Sequence, residues 1–562
     1  MKKSLSFCLL LTLVLSCAAQ SSYSDCWFYV SRSLSTEQDV KDITELVAVA
    51  EKAQYNGMLL ACGVESYALW GDARKKNLAK VRAVCEQTGI EIIPILWSVG
   101  YGTMLSRNRN IVEGLLCKDV PYESLGEVAV YKPMAPVEIN NGDFEQDLAG
   151  KNKIPGWDWT DKFGSISFLD TEVKKSGAAS LRLEPSAQDK HGHARASQQI
   201  PFKPYRQYRL SCWVKTEDLD PVGAFKVQMY RKEGGALSAI SPRLQATQDW
   251  QYVSLLFNCS ADNGGVLYLG LWGGKSGKIW LDDVKVEELG VLSVLRRPGT
   301  PFTVRNAETG VAYVEGKDYQ AVPGISTFAL KPTEISMDLK LATGSSIKKG
   351  DKLLIDYYNP CRAGNSQFTV CMSEPELYEF FKQSAPGVMQ ALQPKKWFLS
   401  MDEIRAGGTC AACMARNTDM AHILADCIQQ QRAIIKDVCP EADIYIWSDM
   451  LDPAHNAHDN YYACKGTYAG VWELIPKDLI ISCWYGSKRN ESMSFFSSRG
   501  FRTQAAAYYD ADTLDSSRDW LVTCNQTENC TGIIYTSWRN KYALLAAFGE
   551  LVKKEGKPLT GK

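Results

Sequence analysis

Residues 397–403 read Trp-Phe-Leu-Ser-Met-Asp-Glu, a largely apolar run that ends in two adjacent carboxylates and is followed, after Ile404, by Arg405-Ala406-Gly407-Gly408. Such a run, stopped by a glycine-rich turn, reads as a short strand buried on both faces. Downstream, Thr418 is predicted to cap a helix with Ile423, Leu424, Cys427, Ile428, Ile434, Ile435 and Val438 on one stripe. Four further strands are predicted at 443–447 (DIYIW), 479–484 (LIISCW), 503–509 (TQAAAYY) and 532–535 (GIIY). Upstream, three of the same kind fall at 26–31 (CWFYVS), 57–62 (GMLLAC) and 90–97 (IEIIPILW). Helical spacing separates those three: Ser35 and Gln38 suit a capping box, Val40, Ile43, Leu46, Val47 and Ala50 follow, and 78–85 belongs to a second helix. Three strands before the break and five after it make eight. The predicted fold class is therefore α/β, a (β/α)8 TIM barrel interrupted after strand three by an all-β sandwich and a small β extension.

The interruption is visible as a change of period. From about 137 to 288 the pattern alternates every second residue, with short strands at 180–183, 208–214, 225–230, 252–257 and 267–272. This is the signature of an antiparallel sandwich. Asn141-Gly142-Asp143-Phe144-Glu145 with Gly156-Trp157 opens it, and Ile279-Trp280-Leu281-Asp282-Asp283-Val284 closes it. Both ends resemble those of jelly-roll carbohydrate-binding modules. Sugar binding and a plain spacer role both fit this resemblance. The expected divisions are a signal at 1–20, the first part of the barrel at 24–135, the sandwich at 136–290, a β extension at 291–372 and the second part of the barrel at 373–555.

The chain has 562 residues with 63 Lys+Arg against 64 Asp+Glu, so no basic excess points to nucleic acid. Lys2 and Lys3, the apolar stretch 5–15 and the small residues Ser16, Cys17, Ala18 and Ala19 read as an export signal too short to span a bilayer. Residues 14–17 also look like a lipobox, which would place a lipid on Cys17 and provide the one expected contact with a membrane. The expected location is periplasmic, outer-membrane-anchored or secreted. Sixteen cysteines lie outside the signal, and some disulfides are expected in an oxidising compartment. Cys410-Ala411-Ala412-Cys413 is a lone CxxC, read as disulfide or structural; no metal and no cofactor are expected. His422 is expected to be solvated on its helix. Oligomeric state is not legible.

In a barrel of this kind the chemistry sits at the C-terminal ends of the strands. Reading those ends gives Arg32 after strand one, Asp402 and Glu403 after strand four, and Trp447 with Asp449 after strand five. Strand six adds Trp484 and Tyr485, strand seven Tyr508, Tyr509 and Asp510, and strand eight Trp538. Neighbouring strand residues point to opposite faces, so Asp402 and Glu403 share a pocket only if the strand is ending there. Two close carboxylates beside an apolar wall raise one another's pKa, so one can act as general acid while the other stays ionised. Each tryptophan has a packing role as its alternative, Arg32 a structural ion pair, and Asp449 a helix cap.

This order of barrel-end residues resembles glycoside hydrolase family 20, the β-N-acetylhexosaminidases. The resemblance implies an oligosaccharide or polysaccharide substrate. It implies that Glu403 is the acid/base and that Asp402 orients a 2-acetamido group, itself the nucleophile, with net retention. It gives Tyr508 the acetamide oxygen, Arg32 and Asp510 sugar hydroxyls, and Trp447, Trp484 and Trp538 the pocket walls. Three features depart from the family. The loop after strand three (94–102, PILWSVGYG) has Tyr101 and no histidine, the position two past Trp538 is Asn540, and residues 398–401 replace a His-x-Gly-Gly. A divergent member is expected. Two other classes stay open: a non-catalytic glycan-binding protein, and a barrel glycosidase pairing Asp402 or Glu403 with Asp449 or Asp510.

Overall fold

The computed structural model describes residues 23–133, 136–146, 153–185, 189–328, 331, 333–363 and 367–556. The expected signal and Cys17 lie outside them. Eight strands close into a parallel barrel in chain order: Asp25–Ser31, Gly57–Ala61, Glu91–Leu96, Lys396–Leu399, Asp443–Trp447, Ile480–Cys483, Arg502–Ala506 and Cys530–Tyr535. Seven of the intervening helices are substantial: Glu37–Lys52, Asp72–Thr88, Pro375–Leu392, Met420–Val438, Arg489–Ser497, Asp515–Gln526 and Leu545–Glu555. After the fifth strand the only helical segments are the 3-10 turn Asp449–Leu451 and the single α-helical turn Val471–Leu474.

Each barrel strand is apolar on both sides because both are buried. In the first, Trp27 and Tyr29 point into the barrel, while Cys26, Phe28 and Val30 join the layer beneath the helices. The lower interior is filled by Trp27 against Tyr445, centroids 4.6 Å apart, and the upper by Phe398 against Trp447 at 4.5 Å. A Cβ at Gly57 would lie 2.5 Å from the Trp27 indole, so the second strand needs glycine there. The first helix buries Val40, Ile43, Val47 and Ala50. Full burial of each of the larger side chains contributes about 1.5–3 kcal/mol.

Two predicted caps move by one residue. Thr36 and Asp39, not Ser35 and Gln38, form the capping box. Asp419, not Thr418, caps the helix Met420–Val438, because its carboxylate accepts both the His422 N–H and the His422 ring Nδ1. His422 is exposed as expected, though paired.

The insertion is nested. Gly114–Ser124, expected to belong to the barrel, pairs antiparallel with Lys352–Pro360 in a six-stranded sheet that also holds Val128–Tyr131, Thr303–Asn306, Ala312–Tyr313 and Leu339–Lys340. Its alternating burial gives the period-two pattern that the reading of 24–135 as barrel passed over. Within this sheet's sequence lies the sandwich, two five-stranded sheets around a core that includes Phe144, Trp157, Leu210, Val227, Leu269 and Leu281. All sixteen described cysteines are free thiols, so the expected disulfides do not form among the described residues. Most are buried and pack as small hydrophobes.

Candidate active site

The C-terminal ends of the barrel strands open into a cavity of about 560 Å³. Asp402 and Glu403 both line it, with Trp447, Trp484, Trp538, Tyr29 and Trp97 among the walls. Glu403 has φ +47°, in the left-handed region. That turn ends the extended path and brings both carboxylates to the same side, at a strain of about 1–3 kcal/mol for a non-glycine residue. Its surroundings hold it there. The Glu403 N–H donates to Asp449 Oδ2 at 2.8 Å, and its carbonyl accepts from Gln367 Nε2 at 2.8 Å. A Cβ at Gly100 would lie 2.1 Å from the Asp402 carbonyl oxygen, so the loop after strand three can lie against this turn only as glycine.

The carboxylates have different environments. Asp402 Oδ1 accepts from Ser400 Oγ at 2.9 Å. Burial pushes the Asp402 carboxyl up to about 6; the Ser400 hydroxyl opposes this and the neighbouring Glu403 charge adds to it. Glu403 Oε1 accepts from Arg405 Nη2 at 2.6 Å, and Oε2 accepts from the Tyr101 hydroxyl. Arg405 also donates to Gln367 Oε1 at 2.6 Å. Gln367 follows the insertion in sequence, so the returning chain holds the Glu403 turn.

Glu403 stands between two spaces. A second cavity of about 610 Å³ adjoins the first and is lined by Arg109, Phe328, Gln367, Phe368 and Arg405. Tyr101 and Glu403 line both cavities, whereas Asp402 lines the inner one. Phe328 and Phe368 stack at 4.0 Å in the outer wall.

Five of the expected site residues meet in the inner cavity: Asp402, Glu403, Trp447, Trp484 and Trp538. Trp447 is also core, 2% exposed on Phe398, whereas Trp538 is 45% exposed. The other five lie elsewhere. Asp449 is buried behind the wall, where Glu403 N, Asn456 Nδ2 (2.9 Å) and Trp484 Nε1 (3.3 Å) donate to it. Burial, then the Asp402 charge, pushes its carboxyl up to about 7 against those hydrogen bonds. Tyr508 is buried with its ring 4.0 Å from Tyr535 and its hydroxyl donating to the Ala511 carbonyl at 2.7 Å. The seventh strand stops at Ala506, so strand phase no longer applies, and Tyr509 takes the lining position. Asp510 accepts from Ser537 Oγ at 2.7 Å and Trp538 N at 3.0 Å, fixing the loop after strand eight. Arg32 donates to Asn540 Oδ1 at 2.5 Å and pairs with Asp42 at 3.5 Å, the structural alternative for this residue. Tyr485 stacks on His455 at 4.2 Å.

Glu65, which follows the second strand, is a lining residue absent from the sequence-predicted set. It lines the inner cavity at 7% exposure, its carboxyl is raised by burial, and its Oε2 has no hydrogen-bond partner among the described residues. Gly63-Val64-Glu65 directly after GMLLAC was the available signal.

The sandwich has a polar-aromatic face of its own. Along Gly264–Leu271 the residues Leu267, Leu269 and Leu271 enter the core, so Tyr268 and the following Trp272 stand outside. Arg195 lies 5.0 Å from the Trp159 ring and 5.7 Å from the Trp272 ring, and Tyr230 meets Tyr268 edge-on at 5.7 Å. These rings make a continuous strip across one sheet.

Among solved structures, the sandwich is similar to a CBM4 structure (21% identity, 27% of this chain and 99% of that one, TM-score 0.20). It is also similar to a cyclase from Fischerella sp. TAU (15% identity, 28% and 99%, TM-score 0.23). A rhamnosidase from Novosphingobium sp. PP1Y aligns over 97% of this chain and 60% of its own, at 10% identity and TM-score 0.36. No curated protein matches the chain. Residues 138–277 match the CBM_4_9 family model, described as a carbohydrate binding domain.

Proposed function

We propose that this is an exported glycoside hydrolase whose (β/α)8 barrel mouth cleaves N-acetylhexosamine-containing glycans with retention. The observation that carries the reading is the position of Glu403 on the wall between two cavities, with Asp402 on the inner side alone. A sugar ring in the inner cavity has its leaving group in the outer one, and the scissile oxygen then lies beside Glu403. The carbohydrate-binding module supports a glycan as the ligand.

The step follows from this placement. The substrate's acetamide oxygen attacks its own anomeric carbon, and Glu403 protonates the departing glycosidic oxygen. Asp402, ionised above about pH 6, accepts the acetamide N–H and stabilises the oxazolinium cation. Glu403 then takes a proton from water as that water opens the ring intermediate. Tyr508 is turned away from this site; of the lining phenols, Tyr29 and Tyr101 both sense the Asp402 charge, and because the Tyr101 hydroxyl is committed to Glu403 we assign the acetamide oxygen to Tyr29. The rings of Trp447, Trp484 and Trp538 cover the apolar faces of the sugar. The strip of Trp159, Tyr230, Tyr268 and Trp272 would hold a glycan chain beside the barrel.

A second reading has an observation of its own. Arg405 pairs with Glu403 at 2.6 Å while burial lifts Asp402, which suits a two-carboxylate glycosidase with Asp402 as proton donor and Glu403 as nucleophile. A comparison of p-nitrophenyl N-acetylglucosaminide with the plain glucoside and galactoside separates the two. Turnover confined to the N-acetyl sugar, with inhibition by a thiazoline mimic of the oxazoline, supports acetamide participation. Equal turnover of the plain glycosides favours the second.

A further inference from the structure

We infer that Cys371, Cys410, Cys413 and Glu113 form a structural zinc site that pins the loop carrying Glu403 to both crossings of the insertion. The four side chains are buried, and their ligand atoms lie within 4.8 Å of one another. Cys371 Sγ is 3.5 Å from both Cys410 Sγ and Cys413 Sγ, and Cys413 Sγ is 3.5 Å from Glu113 Oε2. Zinc bonds of about 2.3 Å to sulfur and about 2.0 Å to oxygen give tetrahedral edges of roughly 3.8 Å between sulfurs and roughly 3.5 Å from sulfur to oxygen. The observed spacing is already near that of a closed tetrahedral site, and three thiolates with one carboxylate are a donor set suited to zinc.

The surroundings are those of an oriented ligand. Glu113 Oε1 accepts from Thr409 N at 2.9 Å, Thr409 Oγ1 at 2.8 Å and Cys410 N at 2.8 Å, while Oε2 is left facing the thiols. One oxygen fixed by outer hydrogen bonds and the other directed at the ion is the arrangement that orients a metal ligand. Arg297 donates to the carbonyls of Asn110 (2.5 Å) and Val112 (2.6 Å) on the approach to Glu113. Its guanidinium, ion-paired with the buried Glu374 at 2.6 Å, also lies close enough to Cys371, Cys410 and Glu113 to interact with them electrostatically.

A disulfide accounts for less. It would join two of the three sulfurs and leave the third thiol and the Glu113 carboxylate oxygen with at most a weak contact to each other, such as the 3.5 Å one from Cys413. Zinc engages all four. Glu113 stands where the chain leaves the barrel for the insertion, Cys371 where it returns, and Cys410 and Cys413 on the loop that leaves Glu403 and Arg405. The ion would join three segments whose relative placement sets the turn at Glu403.

The test uses the full-length protein, purified without chelator after expression with zinc available. Elemental analysis is expected to find one equivalent of zinc per chain, released in step with mercurial titration of thiols. Cobalt exchange is expected to give the absorption of a tetrahedral thiolate site. The double variant C410S/C413S is expected to lose the metal; should it fail to fold, E113Q is examined for faster zinc loss to a chelator than wild type. Protein that binds zinc at well under stoichiometric level, or in which mass mapping finds a disulfide among these three cysteines, overturns the inference. Because metal content and thiol state are read directly, that failure is distinct from any failure of the glycosidase reading.

Discussion

The backbone N–H of Glu403 donates to the carboxylate of Asp449 at 2.8 Å. This bond ties the left-handed turn at the end of the fourth strand to a buried acid at the end of the fifth. Asp449 touches no substrate space, so its effect on chemistry runs through the position of Glu403. Replacing it by Asn puts an amide where the Glu403 N–H, Asn456 and Trp484 all need an acceptor. Asp449→Asn is expected to lower kcat by about 10²-fold with little change in KM, the scale of an ångström-sized misplacement. Steady-state kinetics checks this; a raised KM at unchanged kcat would assign Asp449 to binding instead.

Asp402 and Glu403 separate by leaving group. With a poor leaving group, Glu403→Gln is expected to lose about 10²–10⁴-fold in rate, the usual range for a general acid. With a dinitrophenyl leaving group, which departs without a proton, most of that loss in the first step returns. Asp402→Asn is expected to be impaired with both. Rescue of Asp402→Asn and not of Glu403→Gln would exchange their roles.

The pH dependence has a definite sign. Asp402 and Asp449 have folded-state values of about 6 and about 7, above the ordinary carboxylate value of 3.8. The folded protein therefore holds protons that the unfolded chain gives up. Their contribution to stability is fully present below about pH 3.8 and is lost as pH rises through 6 to 7. Compared with wild type, Asp402→Asn should gain stability between pH 5 and pH 8 in denaturant titrations, an interval that brackets these values. In the proposed mechanism activity has the opposite slope, because the acetamide would need Asp402 ionised. An acid limb of kcat/KM near 6 is expected, and a limb below 5 would contradict this role.

The tryptophans divide by exposure. Trp538 is 45% exposed and Trp447 2%. Trp538→Ala should raise KM about tenfold with little change in unfolding free energy, a loss of about 1.4 kcal/mol of binding. Trp447→Ala should cost about 3–5 kcal/mol of stability, since it removes an indole packed on Phe398. Thermal unfolding beside kinetics separates these outcomes.

Much of this was legible in the sequence. The eight barrel strands follow from short apolar runs, because a parallel strand covered on both faces has no polar side to show. Asp402 and Glu403 follow from their place at one strand's end. The errors share a cause. Tyr508, Asp510, Arg32 and Tyr485 lie at or beyond strand ends, where backbone turns rather than strand alternation decide direction; Asp510, like Glu403, has positive φ. Gln367 and the Glu113–Cys410 contact are set by the path of the insertion, which brings together residues 297 positions apart. A lone CxxC carries no sign of such distant partners. Glu65 is legible from its place just past the end of the second strand, in Gly63-Val64-Glu65.

The Asp402–Glu403 turn at the aromatic mouth is proposed to break a glycosidic bond with help from the sugar's own amide. Release of p-nitrophenol from a p-nitrophenyl N-acetylhexosaminide, by wild type and by Glu403→Gln side by side, tests it most directly. Turnover is expected from the wild type, with a rate lower by about two orders of magnitude or more in the variant. Equal rates in the two proteins, or a wild type that binds N-acetylated glycans and never cleaves them, would contradict it.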